Sequence, residues 1–79
     1  MSNDDARVVQ RAIRWSVNRW TGSFETRLGR TRYWWHARTN KHGQITVMRP
    51  GRDPVQIGYG LRRDRVEDAI VLDYLGPRS

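Results

Sequence analysis

Along the first quarter of the chain, Val9, Ala12, Ile13, Val17 and Trp20 recur at spacings of three and four. That rhythm predicts a helix with one buried stripe over about residues 4–20. Ser2, Asn3 and Asp4 are cap candidates, and Asp4 and Asp5 suit the positive end of the helix dipole. Gly22 reads as the terminator. Arg7, Arg11 and Arg14 make a second stripe nearly opposite the first.

Beyond that point the period shortens to two. Alternation of apolar with polar residues predicts strands at about 24–28, 31–39, 44–49 and 55–59. The second of these, TRYWWHART, is the richest in aromatic and β-branched residues. Tyr33, Trp35 and Ala37 share one side of it, and Trp34, His36 and Arg38 the other. NKHG reads as a hairpin turn and PGRDP as a chain breaker. A last helix is expected over about 65–75, with Asp64 and Glu67 at capping-box spacing and Gly76-Pro77 as its end. Its apolar residues spread around the cylinder, which calls for burial on more than one side or contact with a second copy in a homodimer.

These elements give one α+β domain over residues 1–79: an N-terminal helix, a three- or four-stranded antiparallel sheet, and a C-terminal helix, in the order α-β-β-β-α. Both helices are expected on one face of the sheet. Four tryptophans and three tyrosines supply core material that a disordered chain lacks. With no cysteine, neither disulfides nor thiolate-held zinc can contribute to stability. The chain has no apolar run long enough to span a membrane, and MSNDDARVVQ carries no apolar signal core. A cytoplasmic protein without a membrane partner is the expectation.

Charge changes the picture most. The formal net charge is +7, and fourteen of the fifteen basic residues are arginine. Between residues 6 and 52, ten arginines and Lys41 face the single acid Glu25. So one-sided a field attracts polyanions, and the guanidinium fork pairs bidentately with phosphate. Three arginines on one helical face with no acid between them also repel mildly, which points to an external anion rather than a solvated surface.

Two resemblances add to this. VQIGYGLRRDRVEDAIVLDYL, residues 55–75, resembles the end of the double-stranded-RNA-binding domain, with Gly58 and Gly60 as its spaced glycines. Arg62, Arg63 and Arg65 fall near that family's basic cluster, and Val66, Ala69, Ile70 and Val71 at its small apolar positions. The likeness implies an α-β-β-β-α fold whose second helix grips phosphates across a major groove while helix one reaches a minor groove. GRTRYWWHARTNKHGQITV, residues 29–47, is similar to the HicA-type toxins, small ribonucleases of the same general fold. Their catalytic histidine lies two residues after the glycine, where this chain has Thr31, so that role does not carry over.

Catalytic patterns are weak. His36 as base, with Arg32 or Arg38 stabilising charge, is the one arrangement that would serve a HicA-like ribonuclease. Surface and turn positions for His36 and His42 are the plainer reading. The acids lack a paired-carboxylate pattern, no metal or other cofactor is implied, and PGRDPVQIGYG lacks phosphate-loop spacing. The expected function is therefore non-catalytic binding to the phosphate backbone of structured RNA or DNA, with RNA preferred on the family likeness. The expected contacts are Arg7, Arg11, Arg14, Arg30, Arg32, Arg38, Lys41, Arg62, Arg63 and Arg65, with Trp34 available to stack a base. A small phage-type or accessory protein that docks on a host protein or nucleoprotein and inhibits it is the alternative.

Overall fold

A computed structural model describes residues 3–37 and 41–76. Ser2, Arg38, Thr39, Asn40 and Pro77, named above as cap, site, strand, turn and terminator residues, lie outside them. The chain runs α1 (Asn3–Ala12), β1 (Ser16–Val17), β2 (Phe24–Leu28), β3 (Thr31–His36), β4 (Gln44–Met48), β5 (Val55–Tyr59) and α2 (Arg63–Leu75). The strands form one antiparallel meander in the order β1-β2-β3-β4-β5. No helix among the described residues is long and apolar enough to cross a membrane.

The expected three- or four-stranded sheet is thus corrected to five strands, and the order α-β-β-β-α to one with two further strands. The extra edge strand comes from the second half of the expected first helix, which ends at Ala12 instead of near residue 20. The reason is tertiary. The Ile13 amide closes a tight last turn on the Gln10 carbonyl at 3.2 Å. The Arg14 amide then donates to Thr26 Oγ1 at 3.1 Å, and the Trp15 indole to Glu67 Oε2 at 2.8 Å. Those distant partners draw the chain off the helical path, and Ser16 and Val17 pair with Glu25 and Phe24. Val17, expected in the buried stripe, is 50% exposed. Gly22, with φ of 73°, closes the β1–β2 turn rather than a helix.

The rest follows the alternating pattern closely. Gly29 and Arg30 form a two-residue loop between the paired Leu28 and Thr31, and Gly29 has the positive φ such a turn requires. β4 and β5 pair with an irregularity at Ile45/Thr46. Leu28, Tyr33, Trp35, Ile45 and Val47 bury the sheet's inner face against Val9 and Ile13 of the N-terminal region and Val66, Ile70 and Val71 of α2. Both helices therefore sit on one side of the sheet, and they pack on each other. Gly60 marks the crossing from β5 to α2: a Cβ there would lie 2.6 Å from Val66 Cγ2, so the close approach requires glycine.

α2 starts at Arg63, two residues before the expected boundary, with Arg62 in extended conformation at its N-cap. Asp64 and Glu67 do not form a capping box. Asp64 accepts from the Arg65 amide and Arg62, and Glu67 from Arg63 and Trp15. The apolar spread on α2 resolves into a packed side and exposed Leu72 and Tyr74.

Candidate functional site

Because both helices cover one side, the other side of the sheet is open. Side chains alternate along each strand, so the residues opposite the buried ones define it. Registered pairing places Ser16, Glu25, Trp34, Thr46 and Gln56 in one row across all five strands. A second row holds Arg27, Arg32 and Met48, and a third holds His36, Gln44 and Tyr59.

The second row carries the charge. Arg27 stands directly opposite Arg32, and cross-strand like charges destabilise a sheet. Arg14, in the connection between α1 and β1, lines the same cleft as Ser16, Glu25, Arg27 and Arg32. An adjoining cleft shares Arg27 and Arg32 and adds Arg30 and Pro50, and a third continues from Arg30 to Arg52 and Asp53. Sharing Arg27, Arg30, Arg32 and Pro50, these clefts adjoin as a shallow trough from β1 across β2 and β3 to the β4–β5 turn. Among the described residues, Arg14, Arg27, Arg30 and Arg32 take part in no salt bridge.

Two of these guanidinium groups are held in place. Arg27 Nε donates to the Gly29 carbonyl at 3.1 Å, which restrains the guanidinium through one of its donors. Arg32 lies over the Trp34 ring, 5.8 Å from its centroid, which orients the guanidinium without consuming its N–H groups. Trp34 itself is half-buried and donates its indole N–H to Glu25 Oε2 at 2.8 Å. Glu25, the one acid beside Arg14, Arg27 and Arg32, is therefore engaged by tryptophan rather than by arginine. His36 lies two residues along β3, with Nε2 3.4 Å from Thr46 Oγ1. His42 meets the edge of Tyr59 at 5.8 Å between ring centroids.

No family model matches this chain, and neither a curated protein nor a solved structure matches it.

The expected contact set divides. Arg14, Arg30 and Arg32 come together, with Trp34 beside Arg32. Arg14 does so from the α1–β1 connection, a correction to its place in a helical stripe with Arg7 and Arg11. Arg7 and Arg11 stay on α1 and line a separate cleft with Arg63 and Glu67 in the helix layer. Lys41 and Arg65 are exposed but line none of these clefts. Arg62 and Arg63 are bonded to Asp64 and Glu67, both at 3.0 Å, so acids of α2 compensate them. Arg27 and Arg52 were not among the expected contacts. For Arg27 the signal was present: a two-residue loop at Gly29-Arg30 fixes the register that sets it against Arg32.

One further cluster belongs to the fold. The buried Tyr33 hydroxyl donates to Asp73 Oδ2 at 2.8 Å, and Arg49 pairs with Asp73 Oδ1. Burial first, then the hydrogen bond to Asp73, pushes the Tyr33 phenol well above its ordinary range.

Proposed function

We propose that the protein binds nucleic acid without cleaving it, seating a phosphate backbone in the trough of Arg14, Arg27, Arg30 and Arg32. One observation carries this reading: Arg27 and Arg32 are juxtaposed across two strands with no acid paired to either. A sheet gains nothing from that juxtaposition by itself, whereas a phosphate between the two fork-shaped donors converts repulsion into charge-assisted bonding. An elongated, open, polar trough suits a backbone better than it suits an enclosed small molecule. The remaining arginines on α1 add long-range attraction.

A salt series of binding to duplex RNA, duplex DNA and single strands tests the reading. Affinity should fall steeply and linearly in log–log form as salt rises, by about 0.7–0.9 units per phosphate contact. Absence of binding to every one of these polymers at low salt overturns it. A second reading, docking on a protein, has its own observation: a groove of Ile57, Ala69 and Leu72 lies between α2 and the edge strand β5, near exposed Val55. Capture of a protein target together with the absence of nucleic-acid binding would select it.

A further inference from the structure

The four tryptophans have different fates. Trp15, Trp34 and Trp35 each donate the indole N–H within the protein, to Glu67, Glu25 and the Gly60 carbonyl. Trp20 does not. It is 97% exposed, and among the described residues its ring has neither a hydrogen-bond partner nor a ring contact.

Its loop is nevertheless well built. Asn18 organises the turn between β1 and β2 from both its main chain and its side chain. Its amide donates to the Ser23 carbonyl at 2.8 Å, and its carbonyl accepts from the Gly22 amide at 2.7 Å. Asn18 Oδ1 accepts from the amides of Trp20 and Thr21 at 2.9 and 3.2 Å. The Thr21 and Ser23 hydroxyls bond each other, and Ser23 is buried. A turn held this way presents its apex with little conformational entropy left to lose on binding.

Position supplies the second argument. β1 is the strand from which Ser16 lines the arginine cleft, and Trp20 follows it by four residues. Extended chain covers at most about 3.6 Å per residue, so the ring's backbone lies within roughly 14 Å of that cleft. Arg19, also exposed, precedes it. The β1–β2 turn lies at the opposite end of β2 from the Gly29-Arg30 loop, so a polyanion that extends from the trough past Ser16 along β1 would reach a flat, apolar, unpartnered ring.

We propose that Trp20 stacks on an unpaired base of the nucleic acid whose phosphates the trough holds, making the protein a reader of loops, bulges or strand ends rather than of uniform duplex. This rests on the nucleic-acid reading of the trough. Arginines on the sheet would supply the sequence-independent backbone grip. The hairpin tip would supply the preference for unpaired structure, since every base offers a π-face only when it is unstacked.

The test compares a stem-loop RNA carrying a uridine loop with a fully paired duplex of the same stem, by fluorescence anisotropy with the full chain. Trp20→Ala should weaken stem-loop binding roughly fivefold to a hundredfold while leaving duplex binding and the salt slope unchanged. Trp20→Phe should recover most of the loss, because phenylalanine retains a stacking face. The exposed ring leaves the fold unaffected by either change, which thermal unfolding verifies. If Trp20→Ala binds the stem-loop as tightly as the parent while Arg27→Ala/Arg32→Ala loses affinity, base stacking is wrong and the phosphate trough stands. Equal losses on stem-loop and duplex also overturn stacking on an unpaired base. If the parent protein binds neither RNA at low salt, stacking on an RNA base is wrong; if it binds no DNA either, the trough reading fails with it.

Discussion

Strand β3 shows two opposite uses of the same residue types on its two sides. Facing the helices, Tyr33 is 0% and Trp35 8% exposed, and each polar tip is engaged, by Asp73 and by the Gly60 carbonyl. Facing outward, Arg32 is exposed beside Arg27 with no acid paired to it, and Trp34 is left half open. The inner side is closed chemistry. The outer side leaves donors and positive charge in excess, the state that the proposed phosphate backbone would complete. Arginine itself divides along the same line: Arg49, Arg62 and Arg63 meet carboxylates supplied by α2 and its first turn, whereas the arginines of β2, β3 and their connection do not.

Substitutions on the inner side should act on stability. Trp35→Ala has the largest expected effect, a loss of about 3–5 kcal/mol, because it opens a cavity between Trp15 and Phe24 and orphans the Gly60 carbonyl. Urea unfolding followed by circular dichroism measures it, and a loss under about 1 kcal/mol would remove Trp35 from the core. Tyr33→Phe comes next, at roughly 1.5–3 kcal/mol near neutrality, since it deletes a hydrogen bond to an ionised carboxylate. It also has a pH signature. The folded-state phenol titrates above its unfolded value of about 10, so Tyr33 contributes stability in full below that pH and loses it as pH rises further. The parent protein should therefore weaken above about pH 10, and Tyr33→Phe should weaken less over the same interval. Parallel declines would show that the buried phenol is not the group responsible.

Outer-side substitutions should act on binding instead. Arg27→Ala/Arg32→Ala should lower nucleic-acid affinity by about tenfold or more and flatten the salt slope by about 1.4 units on single strands or 1.8 on duplex DNA. Its melting temperature should hold or rise slightly, because removing the pair relieves a cross-strand repulsion. A large loss of stability without a change in salt slope would make the two arginines structural and erase the contrast between the faces.

The two-sided character of β3 was legible in TRYWWH, since strict alternation alone assigns Tyr33 and Trp35 to one face and Trp34 and His36 to the other. The same rule was sufficient for β2 and β4, and the Gly76 stop held for α2. What the sequence concealed was the chain between Ile13 and Ser23. Its apolar spacing fits a helix, but Arg14 and Trp15 are captured by Thr26 and Glu67, partners 12 and 52 residues away. Local periodicity carries no information about contacts at that separation. Asn18, Thr21, Gly22 and Ser23 do form a turn-prone cluster, and it was the local signal for the hairpin. The candidate site was half legible for a related reason: charge counting found the arginines, but only coordinates show which of them α2's acids neutralise.

That last distinction has a sharp, small-amplitude test in Arg62→Ala. Arg62 and Asp64 are 72% and 58% exposed in their side chains, so their ion pair is solvated and its removal should change stability by no more than about 0.5 kcal/mol. Arg62 lies outside the trough, and its charge is already opposed by an acid two residues away. Binding should therefore change little, and the salt slope should shift by well under the roughly 0.7–0.9 units expected for Arg27→Ala alone. Equal shifts for the two variants would mean that position in the trough is irrelevant and that total charge alone draws the polyanion. Unequal shifts would mean that geometry, through the acids that α2 supplies to some arginines and withholds from others, decides which guanidinium groups remain available.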